Sequence, residues 1–140
     1  MERTSETLTI EEVIEINRQQ IEMFGGLFLP VNNFHNGPSL EFALDTVDAV
    51  SFGQVLYPTL QDKAAHLTYS IIAGYVFHDG NKRTAIAACR VFLLLNGYDL
   101  QIESISVDEG AMEVALGVAD SIIGRGELAE WIYERMVPIG

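Results

Sequence analysis

The chain has 140 residues, room for one domain with a substantial core and little for a second, and a hydrophobic fraction of 49% argues against disorder. Eight Lys and Arg against twenty Asp and Glu give a net charge of −12, which repels a nucleic-acid backbone unless the few cations cluster. Nonspecific DNA or RNA binding is therefore disfavoured; a basic protein partner is admitted, although the same balance is common in ordinary soluble proteins.

Residues 1–8 read as a loose N-terminus and 9–137 as a single domain. Thr9 and Glu12 have capping-box spacing, and Ile10, Val13, Ile14, Ile16 and Ile21 follow with helical period to Phe24, where Gly25 and Gly26 stop the helix. After the irregular "LFLPVNNFHNG", Pro38 suits the first turn of a second helix carrying Leu40, Ala43, Leu44 and Val47. "SFGQVLYPT" is a connector. From Thr59 a longer helix is expected, with Leu60, Ala64, Leu67, Ile71 and Tyr75 along one side, ending near Phe77. Tyr75 is thereby placed at the C-terminal end of a buried stripe.

Asp79-Gly80 makes a turn, and Lys82 to Leu95 is apolar almost all round, as befits the central helix of a bundle. Cys89 lies within it and reads as a small hydrophobe, giving no sign of secretion. Arg90 interrupts the run, which is too short to span a bilayer, and the N-terminus lacks the apolar core of a signal peptide; no membrane association and a cytoplasmic location are expected. "YDLQIES" suits a short strand or an extended link. Ser106 and Glu109 again have capping-box spacing, opening a helix through Met112 and Val118, and a last helix around Leu128, Trp131, Ile132 and Met136 stops before Pro138. The class is all-α, about six helices around one apolar helix.

The turn between the two central helices is the candidate site. Gly80 has no Cβ, so its backbone can approach an oxygen-rich ligand, and the next helix aims unpaired N–H groups at the same place. Lys82 and Arg83 sit at the helix end where the macrodipole favours acids, as if an anion were expected there. Asp79 could hold Mg²⁺, which takes one or two carboxylates and completes its shell with ligand and water; Asn81 could cap the helix or donate to phosphate. The same residues also make an ordinary turn and cap, and residue chemistry alone leaves both readings open.

The order Phe77-x-Asp79-Gly80-Asn81-Lys82-Arg83-Thr84-Ala85 resembles the signature of the Fic/Doc superfamily, in the form found in Doc, the death-on-curing toxins. "YPTLQDKAAHLTYSIIAGYVF" before the turn, "AIAACRVFLLLNGYDL" after it and "MFGGL" upstream are similar to the same family, and the resemblance is dense from Tyr57 to Leu100. It implies a Fic fold that uses ATP to modify a hydroxyl of a protein. Fic relatives transfer AMP, whereas Doc toxins, with lysine after the motif asparagine, transfer the γ-phosphate to a threonine of elongation factor Tu and halt translation. Lys82 makes the Doc side the nearer match. The resemblance further implies that Asp79 helps bind Mg²⁺, that Asn81 and Arg83 contact phosphates, that Lys82 shapes the nucleotide pose, and that a small Phd-like antitoxin covers the site. An internal inhibitory helix in some relatives ends in Glu-Gly like Glu109-Gly110, but its hydroxyl position is Ile105 here, which favours a separate antitoxin.

One position departs from the family. Its general-base histidine falls on Tyr75. Imidazole accepts a proton near neutrality, whereas a phenol ordinarily titrates near about 10, and base catalysis supplies roughly 10²–10⁴-fold. His66 is expected on the opposite side of the helix, His78 in the turn with no fixed direction, and His35 in a connector that would approach only by an accident of folding; all three read as surface or capping residues. An inactive or attenuated variant, engineered or selected, is the first explanation, and a natural pseudoenzyme that binds nucleotide or a partner without turnover the second.

Overall fold

A computed structural model describes residues 5–102 and 109–140. The first helix opens as its sequence dictates: Thr9 Oγ1 accepts from the Glu12 N–H at 3.2 Å while Glu12 Oε1 accepts from the Thr9 N–H at 2.9 Å, launching α1 (Ile10–Phe24). Helix α2 (Gly37–Thr46) has Pro38 in its first turn, where a missing N–H costs nothing. The connector that follows folds into a hairpin, β1 (Val50–Ser51) against β2 (Gln54–Val55); Phe52 and Gly53, with φ of 50° and 78°, form its two-residue turn. Thr59 caps α3 (Leu60–Ala73) through the Asp62 N–H, and α4 (Asn81–Leu95) is the central helix, packed against α1, α3 and α5 (Glu109–Ala119). Helix α6 (Arg125–Arg135) lies along α3 and leads into β4 (Met136–Pro138), which pairs antiparallel with β3 (Tyr98–Leu100) in the register Tyr98↔Pro138. "YDL" is thus a strand, and Met136 belongs to its partner rather than to the last helix. The described residues form six helices with two minimal sheets, an all-α bundle. Ser106 and Ile105, invoked for a cap and an inhibitory pattern, lie outside the described residues.

The core confirms the apolar reading of α4: Ala85, Ile86, Ala88, Cys89, Phe92 and Leu93 are each at most 1% exposed. Burial pushes the Cys89 thiol up to about 12, so it is an inert packing group. No described helix is long and apolar enough to cross a membrane.

Three expectations are corrected. Residues 5–8, placed in the loose terminus, are held: Leu8 is buried, Ser5 Oγ donates to Asp48 Oδ1 at 3.0 Å, and Glu6 exchanges two hydrogen bonds with the Asn96 side chain. Asp48 in turn pairs with the buried Lys63 at 2.9 Å, and although burial opposes ionisation, the hydrogen bonds from Lys63 and Ser5 hold its carboxyl below the usual range. Second, α3 ends at Ala73 rather than near Phe77. Tyr75 takes φ of 49°, its N–H donates to the Ile72 carbonyl, and the Val76 N–H donates to the Ile71 carbonyl. This is a Schellman closure with tyrosine in the left-handed position that glycine usually fills. Tyr75 is therefore off the buried stripe and 59% exposed.

Third, His66 is a core residue at 2% exposure, not a surface one. Its ring stacks on Tyr57 at 4.0 Å, and Nε2 meets Thr46 Oγ1 at 2.8 Å. Because the Thr46 hydroxyl donates to the Phe42 carbonyl, Nε2 is the protonated nitrogen of the neutral ring. Burial, with the charge of Arg125 behind it, pulls the pKa from 6.5 to about 4. The unfolded chain takes up this proton as pH falls through 6.5 while the folded chain does not until about 4. Stability from this group is intact above 6.5 and falls by roughly 3 kcal/mol on the way down to about pH 4. In urea unfolding followed across that window, a His66→Phe variant should lose stability with a slope smaller than that of the parent chain by about one proton; an unchanged slope would show that His66 does not titrate as described.

Candidate functional site

The site is the turn 77–83, and buried amides shape it. Asn81 does not cap α4; the cap is Gly80, with φ of 77° and no side-chain hydrogen bond. Asn81 instead accepts from the Phe77 N–H at 2.9 Å and donates to the Phe77 carbonyl at 2.8 Å, clamping the turn shut across four residues. Its side chain is engaged at both ends, so what it still offers a ligand is the second Nδ2 hydrogen and the backbone N–H. Gly80 must be glycine twice over: its φ is left-handed, and a Cβ would lie 3.1 Å from Asn17 Nδ2 and 3.3 Å from Ile21.

Asn17, fully buried on α1, is the keystone. Its Nδ2 donates to the Asp79 carbonyl at 2.9 Å and to Thr84 Oγ1 at 3.0 Å, and its Oδ1 accepts from Asn33 Nδ2 at 2.9 Å. Asn33, itself 1% exposed, accepts at Oδ1 from the Leu29 N–H, and its carbonyl accepts from the His78 N–H. One amide chain therefore ties α1, the 29–33 loop, the turn and the first turn of α4 together. The loop also pairs with the turn through a bridge between Phe34 and Phe77, whose rings stack at 5.5 Å.

Asp79 is exposed but not free to swing: Oδ1 accepts from the Gly80 N–H at 2.8 Å and Oδ2 from the Leu27 N–H at 2.9 Å. Gly26 permits this approach, since a Cβ there would sit 2.8 Å from Asp79 Oδ2. Gly25-Gly26 is thus more than a helix stop. Each carboxylate oxygen keeps a lone pair, which fits Mg²⁺ held by one protein ligand with the rest of its shell from ligand and water. Among the described residues no group of three or more His, Cys, Asp or Glu side chains that could hold a metal ion occurs.

The N–H groups of Asn81, Lys82 and Arg83 open α4 and have no acceptor among the described residues, so they and the dipole present a positive end to solvent. Lys82 is exposed beside them. Arg83 is half-buried, its guanidinium 4.9 Å from the centre of the Phe24 ring and its Nε buried without a partner. The structure thus groups Asp79, Gly80, the backbone of Asn81, Lys82 and Arg83 at one helix start. Tyr75 is an exposed ring on the strained closure of α3, its neighbour Gly74 held through its carbonyl by Asn36 Nδ2 at 3.0 Å. A hollow of about 240 Å³ runs beside the turn, lined by residues 29–34 and His78. Larger hollows near Lys63 and between α5 and α6 share no residue with the turn.

Asn17 and Asn33 were not singled out from sequence. The signal for Asn17 was available, because it interrupts the stripe Val13-Asn17-Ile21 at the spacing of a buried face. Asn33 and the Leu27 N–H carry no such signal.

A family model described as the Fic/DOC family matches residues 7–93. Over 61 residues, 44% of this chain, the sequence is 44% identical to a protein named Toxin Doc from Mycolicibacterium smegmatis (strain ATCC 700084 / mc(2)155), of which the match spans 47%, about half its length. The family match covers the helix that supplies Asn17, the amide-tied loop, the turn and most of α4. The chain belongs to the Fic/DOC family.

Proposed function

We propose that the chain is a Doc-like toxin whose phosphate-gripping turn is intact and whose hydroxyl-activating position is disabled. The observation that carries this reading is the pairing of an open α4 N-terminus, flanked by Asp79 and Arg83, with an exposed tyrosine where the family's base would be. The substrate is ATP. The backbone N–H groups at the start of α4 and the Arg83 guanidinium bind phosphate oxygens, and Asp79, fixed by two N–H donors, holds Mg²⁺. When bound, Mg²⁺ neutralises phosphate charge. The acceptor is a protein hydroxyl, in the Doc manner a threonine of elongation factor Tu, and modification there would block translation. Tyr75 puts a phenol where the family has an imidazole, and a phenol is a poor acceptor for the proton of the attacking hydroxyl. A small Phd-like antitoxin is the expected partner, and a cytoplasmic location follows from that role.

Lys82, in place of the glycine of AMP-transferring relatives, favours transfer of the γ-phosphate. The alternatives are AMP transfer, and a pseudoenzyme that holds nucleotide or a partner without turnover. To separate them, the chain and its Tyr75→His variant are incubated with ATP, Mg²⁺ and elongation factor Tu, and the products weighed by mass spectrometry. A phosphate adduct formed by the variant, with little or none from the parent chain, is expected. An AMP adduct would replace this reading with nucleotidyl transfer, and bound nucleotide without any adduct would leave the pseudoenzyme.

A further inference from the structure

The side chains of His35 and His78 make none of the hydrogen bonds that shape the site just described. Both are exposed, and their rings lie 5.5 Å apart, centre to centre, at 68° to each other. The backbone holds them there. The bridge between Phe34 and Phe77 is flanked by a hydrogen bond from the His35 N–H to the Val76 carbonyl at 2.8 Å and one from the His78 N–H to the Asn33 carbonyl at 2.9 Å. In that register His35 opposes Val76, so His78 is its diagonal neighbour on the same face, within reach for long side chains. No described residue hydrogen-bonds to a ring nitrogen of either histidine.

Two imidazoles that share a Zn²⁺ ion at about 2.0–2.1 Å with a tetrahedral angle place their ring centres roughly 5 Å apart. The observed 5.5 Å is close to this, and main-chain hydrogen bonds already fix the two backbones, so the ordering needed on binding is confined to the two side chains. We propose that His35 and His78 chelate one divalent transition-metal ion of the Zn²⁺ class, with water completing the shell. Imidazole suits Zn²⁺ and Ni²⁺ but not Mg²⁺, whereas the carboxylate of Asp79 suits Mg²⁺, so the two adjacent positions are distinguished by ligand chemistry. The bound ion would staple the 30–36 segment to the turn one residue before Asp79. This inference does not depend on the activity proposed above.

The test is calorimetric titration of the metal-free chain with Zn²⁺ at a pH about one unit above the ordinary histidine value, together with the Tm at saturation. One ion per chain and a Tm raised by a few degrees are expected. His35→Gln and His78→Gln, both exposed and both retaining the backbone bonds, should each weaken binding at least tenfold, and the double variant should be no worse than either single one, because a chelate is lost whole. Circular dichroism of each variant checks the fold. No binding, undiminished binding in the variants, loss in only one of them, or half an ion per chain with dimerisation would each overturn the proposal. Competing Mg²⁺ in excess should leave the Zn²⁺ isotherm unmoved; displacement would place the ion on Asp79 instead.

Discussion

Restoring histidine at position 75 should raise the rate of hydroxyl modification by roughly 10²–10⁴-fold while leaving nucleotide affinity nearly unchanged. The side chain at this position is exposed and makes none of the hydrogen bonds that shape the 77–83 turn, so its exchange does not disturb that turn. The backbone there is also better suited to the new residue. A φ of 49° is unusual for tyrosine, and histidine is among the residues enriched at positive φ, so the variant should fold at least as well. Single-turnover rates measured against pH provide the check. The variant's rate should climb with pH through the ordinary histidine range and level off above it, as expected of a base that must be neutral to act. Equal rates in the two proteins, or a gain without that profile, would show that the missing step is not proton abstraction at this position.

Asn17→Ala should destabilise the fold by about 2–4 kcal/mol, a Tm drop of about 10 °C, and should loosen the turn at the same time. The substitution strands the Asn33 amide, the Thr84 hydroxyl and the Asp79 carbonyl in a region where Asn17, Asn33 and Thr84 are all 1% exposed or less. Buried groups left without partners cost more than the hydrogen bonds returned, and water has little access to repair them. A double-mutant cycle with Asn33→Ala should return a coupling of about 1 kcal/mol or more, because the two amides share a bond. Urea denaturation of the four proteins measures it. Additive losses would mean that the amides act independently and that the loop is not tied to the turn through them.

The helices were legible because their signals are local. Thr9 with Glu12, Pro38, Thr59 and the apolar run of α4 each mark an end or a face without reference to the rest of the chain. The end of α3 was not, since Gly74 and Tyr75 look like an ordinary continuation. What ends the helix is the pairing of the Val76 carbonyl with the His35 and Asn36 N–H groups, a contact between segments forty residues apart. The site shows the same division. Asp79, Gly80 and Arg83 announce themselves by residue order, but the job of Asn81 depends on where the Phe77 backbone lies. The fate of the histidines is likewise tertiary: His66 is buried by Tyr57 and Thr46, and His35 is brought to His78 by strand-like pairing that no periodicity in "NNFHNG" foretells.

Whether the start of α4 grips a triphosphate is tested most directly by calorimetric titration of ATP into the chain, with and without Mg²⁺. Binding that strengthens with Mg²⁺ and weakens about 10–100-fold in Arg83→Ala is the predicted result, as expected for loss of a charge-assisted contact to phosphate. An affinity indifferent to both Mg²⁺ and Arg83, or no binding at all, would contradict it.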